Sequence, residues 1–326
     1  MPGPVWSRRE VRLLTIYLEQ GFSLAEIQIG SRSVIAIRGK AARLKLIGDG
    51  FLHERVPFSL PTENGYSMVG EVVEVGEGVT GFAVGDRVFA PCPHKQFAVV
   101  PAPLAIKLPD EIPDEEVVFM NILEVGHIAI RRGNPASGSN VAIVGQGVIG
   151  LSVLAYARAF GFQTAVVDKS PRRLEIAQEM GADLAVSADE PDFVDEIIDF
   201  FGGEGADLVV EAASNWSAIE SCMEIARSGG KIVVAARHTD RPLFNPVGHP
   251  FLGKKLELLT SYGHEPDGHR WDRKNSFALT VDLLARKKLQ FQPMITHRLD
   301  WDQLPEVYNR LHQGDRDMVG TVISWP

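Results

Sequence analysis

Three glycines at fixed spacing, Gly145-Gln146-Gly147-Val148-Ile149-Gly150, are the part of this chain with the clearest chemical meaning. The triplet alone is weak, because glycines fall at that spacing by chance. Its flanks decide the matter: Val141-Ala-Ile-Val144 leads in, the apolar stretch from Leu151 to Phe160 leads out, and Asp168 follows 18 residues after Gly150. Strand, glycine turn, helix and a later acid make the fingerprint of a dinucleotide-binding βαβ unit. Gly145 is expected to permit the tight turn, Gly147 to let the backbone approach a pyrophosphate, and Gly150 to let helix and strand pack closely. The anion would then face a helix N-terminus, whose unpaired N–H groups and positive dipole end favour it. Asp168 should accept hydrogen bonds from the ribose hydroxyls of NAD and repel the 2′-phosphate of NADP, so NAD(H) is the expected cofactor and NADP(H) the less favoured one. Lys169, Arg172 and Arg173 keep a phosphate-binding alternative open, the plainer reading being a solvated helix start. The expected cofactor residues are therefore Gly145, Gln146, Gly147, Val148, Ile149, Gly150, Asp168, Lys169 and Arg173.

Elements that could hold such a turn are legible on both sides of it. From Asn140 the pattern is strand then helix, three times over: Asn140 to Val144 with a helix to about Phe160, Thr164 to Asp168 with a helix from Pro171 to Met180, and Asp183 to Val186 with a helix from Asp192 to Phe200. Further strands are expected at Asp207–Glu211, Lys231–Ala235 and Leu256–Thr260, with a helix from Ser217 to Ala226. Six strands with alternating helices imply a doubly wound parallel sheet. A polar loop from His264 to Arg273 precedes expected helices at Ser276–Arg286 and Pro305–Leu311. The first hundred residues differ in texture: alternation in Val11–Leu18, a β-branched run in Gly70–Gly76, and short strands at Val88–Ala90 and Phe97–Pro101 make this part β-rich.

Composition narrows the function classes. With 326 residues, 45% hydrophobic and 23% charged, the chain is ordinary globular protein of about two domains. Lys and Arg number 33 against 42 Asp and Glu, a net charge of -9, which disfavours nucleic acid as a partner. Cys92 and Cys222 are too few and too far apart for a disulfide framework, which together with an N-terminus unlike a signal peptide gives a cytoplasmic expectation. The apolar stretch from Val141 to Phe162 has the length of a membrane span, but its glycines, Gln146 and Arg158 fit a strand, turn and buried helix better, so no membrane partner is expected.

At this point the chain resembles the medium-chain dehydrogenase/reductase superfamily over nearly its whole length. Gly65-Tyr-Ser-Met-Val-Gly-Glu-Val-Val-Glu-Val-Gly76, Val79-Thr-Gly-Phe82 and Gly85-Asp-Arg-Val88 resemble the signature segment of its GroES-like catalytic domain, and Met294-Ile-Thr-His297-Arg298 with Leu304–Tyr308 resembles the C-terminal return to that domain. The resemblance implies a GroES-like catalytic domain of residues 1–123 and 265–326, a Rossmann domain of residues 124–264, and a homodimer. It departs from the zinc-dependent branch at every ligand position. Gly65-Tyr66-Ser67 stands where that branch carries Gly-His-Glu, Arg38-Gly39-Lys40-Ala41 where it carries its first ligand, and Asn121 where it carries its third. Zinc needs Cys, His or carboxylate at such positions. The four-cysteine structural lobe is reduced to Pro91-Cys-Pro-His-Lys, and Cys92 with His94 makes a poor site. No metal is expected. Tyr66, Ser67 and Gly70 are closer to a zinc-less branch with a Gly-Tyr-Ser-x-Val-Gly signature that includes sugar-like, polyol and tetrapyrrole alcohol dehydrogenases.

The resemblance then implies a metal-independent oxidoreductase moving a hydride between NAD(H) and a polar secondary alcohol or ketone, a small-molecule substrate. Without a metal some side chain must move the hydroxyl proton. Tyr66 is the expected acid/base, its pKa drawn down by Lys40, and Asn121 is expected to bind substrate or cofactor amide or to cap its helix; each also has a plain packing reading. Glu124 and His127 lie at i, i+3 on one helix face and are expected to be a packed, satisfied pair, the alternative being a proton relay. His264 and His269 could serve substrate or be solvated, and Glu211 could line the adenosine side or be structural. A zinc-less enone or quinone reductase and a catalytically inactive dinucleotide-binding protein remain open alternatives.

Overall fold

The structure is a computed structural model and describes residues 64–326. Lys40, the Arg38–Ala41 segment and the strand expected at Val11–Leu18 lie outside the described residues. From residue 64 the chain forms a small antiparallel sheet, β1 (Met68–Glu71), β2 (Arg87–Ala90) and β3 (Ile106–Lys107), with β2 in the middle. The β-branched run extended to Gly76 in expectation leaves the sheet after Glu71, and Phe97–Pro101 is not a strand. Phe97 and Val99 are exposed, so alternation there covers no apolar face that a strand would have to bury.

A short helix, α1 (Asp114–Val117), leads into α2 (Met120–Gly133), which runs unbroken across the 123/124 division expected from the sequence. Then come β4 (Asn140–Val144), α3 (Val148–Ala159), β5 (Gln163–Asp168), α4 (Pro171–Glu179), β6 (Leu184–Ser187), α5 (Phe193–Phe200), β7 (Ala206–Glu211), α6 (Trp216–Ile225), β8 (Ala226–Val234), α7 (Phe251–Lys254) and β9 (Glu257–Thr260). The six strands are all parallel in the order β6-β5-β4-β7-β8-β9. The order reverses between β4 and β7, which opens a crevice at their carboxyl ends. The chain closes with α8 (Arg273–Ala285), β10 (Ile295–Asp300), α9 (Leu304–His312) and β11 (Gly320–Ser324), the last two strands pairing in parallel.

The sheet is apolar on both faces because helices cover both. On β4, Ile143 belongs to one buried apolar cluster with Leu151, Leu154, Val166 and Phe277, while Ala142 and Val144 belong to a second with Ile197, Ile219 and Met223. Fully burying one such large side chain contributes about 1.5–3 kcal/mol. Helices α2 and α3 approach so closely that a Cβ on Gly126 would lie 2.5 Å from the Ser152 backbone. No helix among the described residues is long and apolar enough to cross a membrane.

Candidate active site

The glycine turn has the geometry its spacing implies. Gly145 sits at φ +96°, and a Cβ there would meet the Ala212–Ala213 backbone at 2.7 Å. Gly150 is tighter still: a Cβ on it would stand 1.8 Å from the Gly145 carbonyl oxygen, so only glycine lets α3 begin this close to β4. Gly147 differs. Its φ is ordinary at -74°, and the one atom a Cβ would approach is Arg173 Nη1 at 4.0 Å. That open space, at the N-terminus of a 12-residue helix with no side-chain cap, is a cradle for an anion. Val148 and Ile149 are half-buried beside it.

Asp168 ends β5 with each carboxylate oxygen holding one bond: Oδ2 accepts the Gln146 N–H at 2.6 Å and Oδ1 the Ser170 N–H at 2.8 Å. The carboxylate is thus fixed against the turn with lone pairs left for ribose hydroxyls. Gln146 serves that arrangement rather than a ligand, since its side chain is fully buried and donates to the Ile143 and Gly145 carbonyls. Lys169 is exposed and lies 3.8 Å from Asp189, and Arg172 pairs with Glu175. Arg173 alone of the three faces Gly147, and its Nε donates to the Arg316 carbonyl at 3.2 Å. These residues fit a dinucleotide. Replacing Asp168 by Ser is expected to raise the ratio of NADPH to NADH affinity by at least ~10-fold, by removing a like charge from the 2′-phosphate. Fluorescence titration of both nucleotides at one ionic strength checks this; a wild type that binds NADPH the tighter of the two refutes the role.

A second constellation stands on α2. Asn121 donates through Nδ2 to the Tyr66 carbonyl at 2.5 Å and to Ser67 Oγ at 2.9 Å, while its Oδ1 accepts from Arg273 Nη2 at 3.0 Å. Tyr66 and Asn121 are therefore neighbours, as the resemblance implies. Tyr66 is 58% exposed and lines a groove with Ser67, His94 and Ile122. Partial desolvation raises its pKa, and Lys40, the cation expected to draw it down, lies outside the described residues. Arg273 was missed in the sequence. It lay at the end of a polar loop, but the Asp272 side chain caps α8 by accepting the Asn275 N–H, and this starts the helix at Arg273, three residues before the expected Ser276. Its guanidinium lies over the Phe277 ring, 5.0 Å from the centroid.

One turn further along α2, Glu124 and His127 do not satisfy each other. Glu124 is 2% exposed, and its Oε1 faces His264 Nδ1 at 2.9 Å without hydrogen-bond geometry. Desolvation pushes its pKa up to about 8, Arg273 pulling the other way. His127 is packed between the rings of Tyr156 and Trp271, its Nδ1 has no hydrogen-bond partner, and desolvation with help from Arg131 pulls it down to about 4. Of the two loop histidines, His264 thus joins the constellation, whereas His269 accepts the Trp271 N–H beside the start of α8. Glu211 is structural: fully buried, it accepts the Ala213 and Ser214 N–H groups and faces His238 Nε2 at 2.8 Å.

The two described residues that the resemblance places at ligand positions, Asn121 and Tyr66, have a chemistry that does not fit zinc. Asn121 offers a carboxamide oxygen already hydrogen-bonded to a guanidinium, and Tyr66 a protonated phenol. Among the described residues no group of three or more His, Cys, Asp or Glu could hold a metal ion. Cys92 is buried, and His94 packs on Gly65 and the Tyr308 ring.

Comparison with known proteins matches residues 36–110 to the alcohol dehydrogenase GroES-like domain and residues 148–275 to the zinc-binding dehydrogenase family. Together the two segments cover more than half of the chain, in the order the family has them. The chain belongs to the medium-chain alcohol dehydrogenase-like family. Among its relatives, sorbitol dehydrogenase of Bacillus subtilis is 26% identical over 282 residues, 76% of this chain and 77% of the relative. Among solved structures of this fold, the 2R,3R-butanediol dehydrogenase of Bacillus subtilis superposes with a TM-score of 0.70 at 23% identity, covering 82% of each chain. An alcohol dehydrogenase of Escherichia coli complexed with NADH superposes at 0.67 and 22% identity, covering 80% of this chain and 83% of the other. The protein is accordingly an enzyme of the medium-chain alcohol dehydrogenase type, with a parallel six-stranded sheet and a GroES-like domain.

Proposed function

We propose that this medium-chain dehydrogenase is an NAD(H)-dependent, metal-independent oxidoreductase that interconverts a polar secondary alcohol and its ketone. The observation that carries the reading is Asn121: its carboxamide joins the Tyr66–Ser67 segment on one side and the Arg273 guanidinium on the other, at positions that the resemblance sets against the ligands of the zinc-dependent branch. The likeness to a sorbitol dehydrogenase supports a polyol-like substrate. When bound, the nicotinamide gives or accepts the hydride. The nucleotide's pyrophosphate is held by the α3 N-terminus at Gly147 with Arg173 beside it, and its ribose by Asp168. The remaining duties fall on the chain's polar groups. In the direction of reduction the carbonyl carbon gains a hydride, its π pair moves to oxygen, and Tyr66 gives that oxygen its phenolic proton. A raised pKa keeps the phenol protonated for this step, and its exposure lets water restore the proton.

The test is a turnover screen of purified protein with NAD and NADP against polyols, sugars and cyclitols, and with the reduced nucleotides against enones. NAD-linked alcohol oxidation that survives chelators, with no zinc by elemental analysis, is the expected result. Enone reduction without alcohol activity overturns the alcohol chemistry. One zinc per chain, lost together with activity, overturns metal independence.

A further inference from the structure

Arg273 brings a permanent positive charge to the Asn121 carboxamide, whose other side holds the Tyr66–Ser67 segment. Carbonyl reduction places negative charge on the substrate oxygen, and a fixed cation or hydrogen-bond donor aimed there is commonly the largest single source of rate. Arg273 meets the requirements of such a group. Its guanidinium is always charged and presents donors in a rigid fork. One arm is spent: Nη2 donates to Asn121 Oδ1 at 3.0 Å, and the other side of that same carboxamide grips Ser67 Oγ and the Tyr66 carbonyl. The plane is held over Phe277, and Nε is buried without a hydrogen-bond partner. A guanidinium fixed at one arm and over a ring, with donors left over, is preorganised rather than mobile.

We propose that Arg273 is the electrophilic residue of this enzyme, donating a hydrogen bond to the substrate oxygen where zinc-dependent relatives use the metal, with Glu124 as the group that tunes its charge. The inference rests on the alcohol/ketone reading above. The step balances: the carbonyl carbon gains a hydride from the reduced nicotinamide nucleotide, the C=O π pair becomes an oxygen lone pair stabilised by Arg273, and Tyr66 supplies the proton that makes the hydroxyl. Arg273 itself neither gains nor loses a proton.

Glu124 supplies the regulation. It is buried one turn from Asn121 on α2, and the groups facing it are Arg273 from α8, His264 from the segment after β9, and Tyr156 from α3, with His127 and Arg131 further along its own helix. With Glu124 protonated, Arg273 acts on the substrate oxygen with its full charge. With Glu124 ionised, the carboxylate competes for that charge. Tyr156 is hydrogen-bonded to Thr280 and held far above the usual phenol range, so it does not titrate in this interval.

The experiment uses the full-length protein, NADH and the ketone that turns over fastest in the screen. Arg273→Ala is expected to lose ~10²–10³-fold in single-turnover hydride transfer while binding NADH normally, and millimolar guanidinium chloride is expected to restore at least ~10-fold of the loss. Arg273→Lys is expected to fall between the two. Wild-type transfer should decline on the alkaline side with a midpoint near the Glu124 value of about 8, and Glu124→Gln should abolish that limb. An unchanged rate in Arg273→Ala, a loss that guanidinium leaves untouched, or an alkaline limb that persists in Glu124→Gln each overturns the assignment. Infrared titration of the Glu124 carboxyl gives a reading free of turnover: its midpoint should rise in Arg273→Ala, and an unmoved midpoint overturns the proposal. If no ketone or alcohol turns over at all, the alcohol/ketone reading fails, and the infrared titration still decides whether Arg273 and Glu124 act on each other.

Discussion

Tyr66→Phe lowers single-turnover hydride transfer by ~10²–10⁴-fold, the usual loss when a positioned acid/base is removed. The substitution is clean. It keeps the ring and its packing, and the Tyr66 carbonyl that accepts from Asn121 is untouched, so the link to Ser67 and Arg273 persists. Nucleotide affinity should stay within about twofold, because the cradle at Gly147 and the carboxylate of Asp168 share no atoms with the phenol. The pH dependence separates Tyr66 from other acids. Its pKa is raised from an ordinary 10.0, so its proton stays in place through neutrality, and the wild-type profile owes none of its shape below pH 9 to this group. A Phe variant that transfers hydride at the wild-type rate makes Tyr66 pocket filler.

Folding stability is expected to be highest near pH 6.5 and to fall on either side, because two buried groups on α2 pull in opposite directions and other histidines side with the acid fall. Folded Glu124 keeps its proton up to about 8, whereas the unfolded chain releases it near 4.5; between those values the folded state binds more protons, so stability falls as pH rises. Folded His127 stays neutral down to about 4, whereas the unfolded chain takes up a proton near 6.5; there the unfolded state binds more, so stability falls as pH drops. Where the windows overlap these two slopes oppose each other, and His94 and His264, both lowered by desolvation, add to the fall as pH drops. Above 6.5 only the Glu124 slope remains, on the order of 1.4 kcal/mol per pH unit, until about 8. On the acid side carboxylates held low by their partners, such as Asp86 beside Lys107 and Glu115 beside Arg298, deepen the decline. Urea titrations at successive pH values measure the curve, and Glu124→Gln should remove the alkaline fall. Stability that climbs from pH 6.5 to 8, or an alkaline slope unchanged in Glu124→Gln, contradicts this account.

The nucleotide half was legible in the sequence because its signals are local. Strand, turn and acid lie within 29 residues of one another, from Asn140 to Asp168, and each glycine's duty follows from backbone geometry alone. The opposite end was legible only in outline. Tyr66 and Asn121 could be paired through the family resemblance, but Arg273 is 152 positions from Asn121, and nothing in a linear pattern announces that contact. Glu124 and His127 misled for the same reason. Their spacing places them on one helix face, yet α8 and the loop before it supply other neighbours, His264 beside Glu124 and Trp271 beside His127. Helix α8 itself was misplaced at its start because a cap residue, Asp272, outweighs the apolar periodicity from which the boundary was drawn.

The contact between Gly126 and the Ser152 backbone carries a lesson for redesign. With 2.5 Å available to any added carbon, the helix bearing Asn121, Glu124 and His127 is clamped to the helix that begins at the nucleotide cradle. An attempt to graft the substrate end of this protein onto a relative will misplace those three side chains unless the donor's α3 travels with them. A bulkier residue at position 126 would tilt α2 against α3, moving Asn121 and the glycine turn at Gly147 at one stroke.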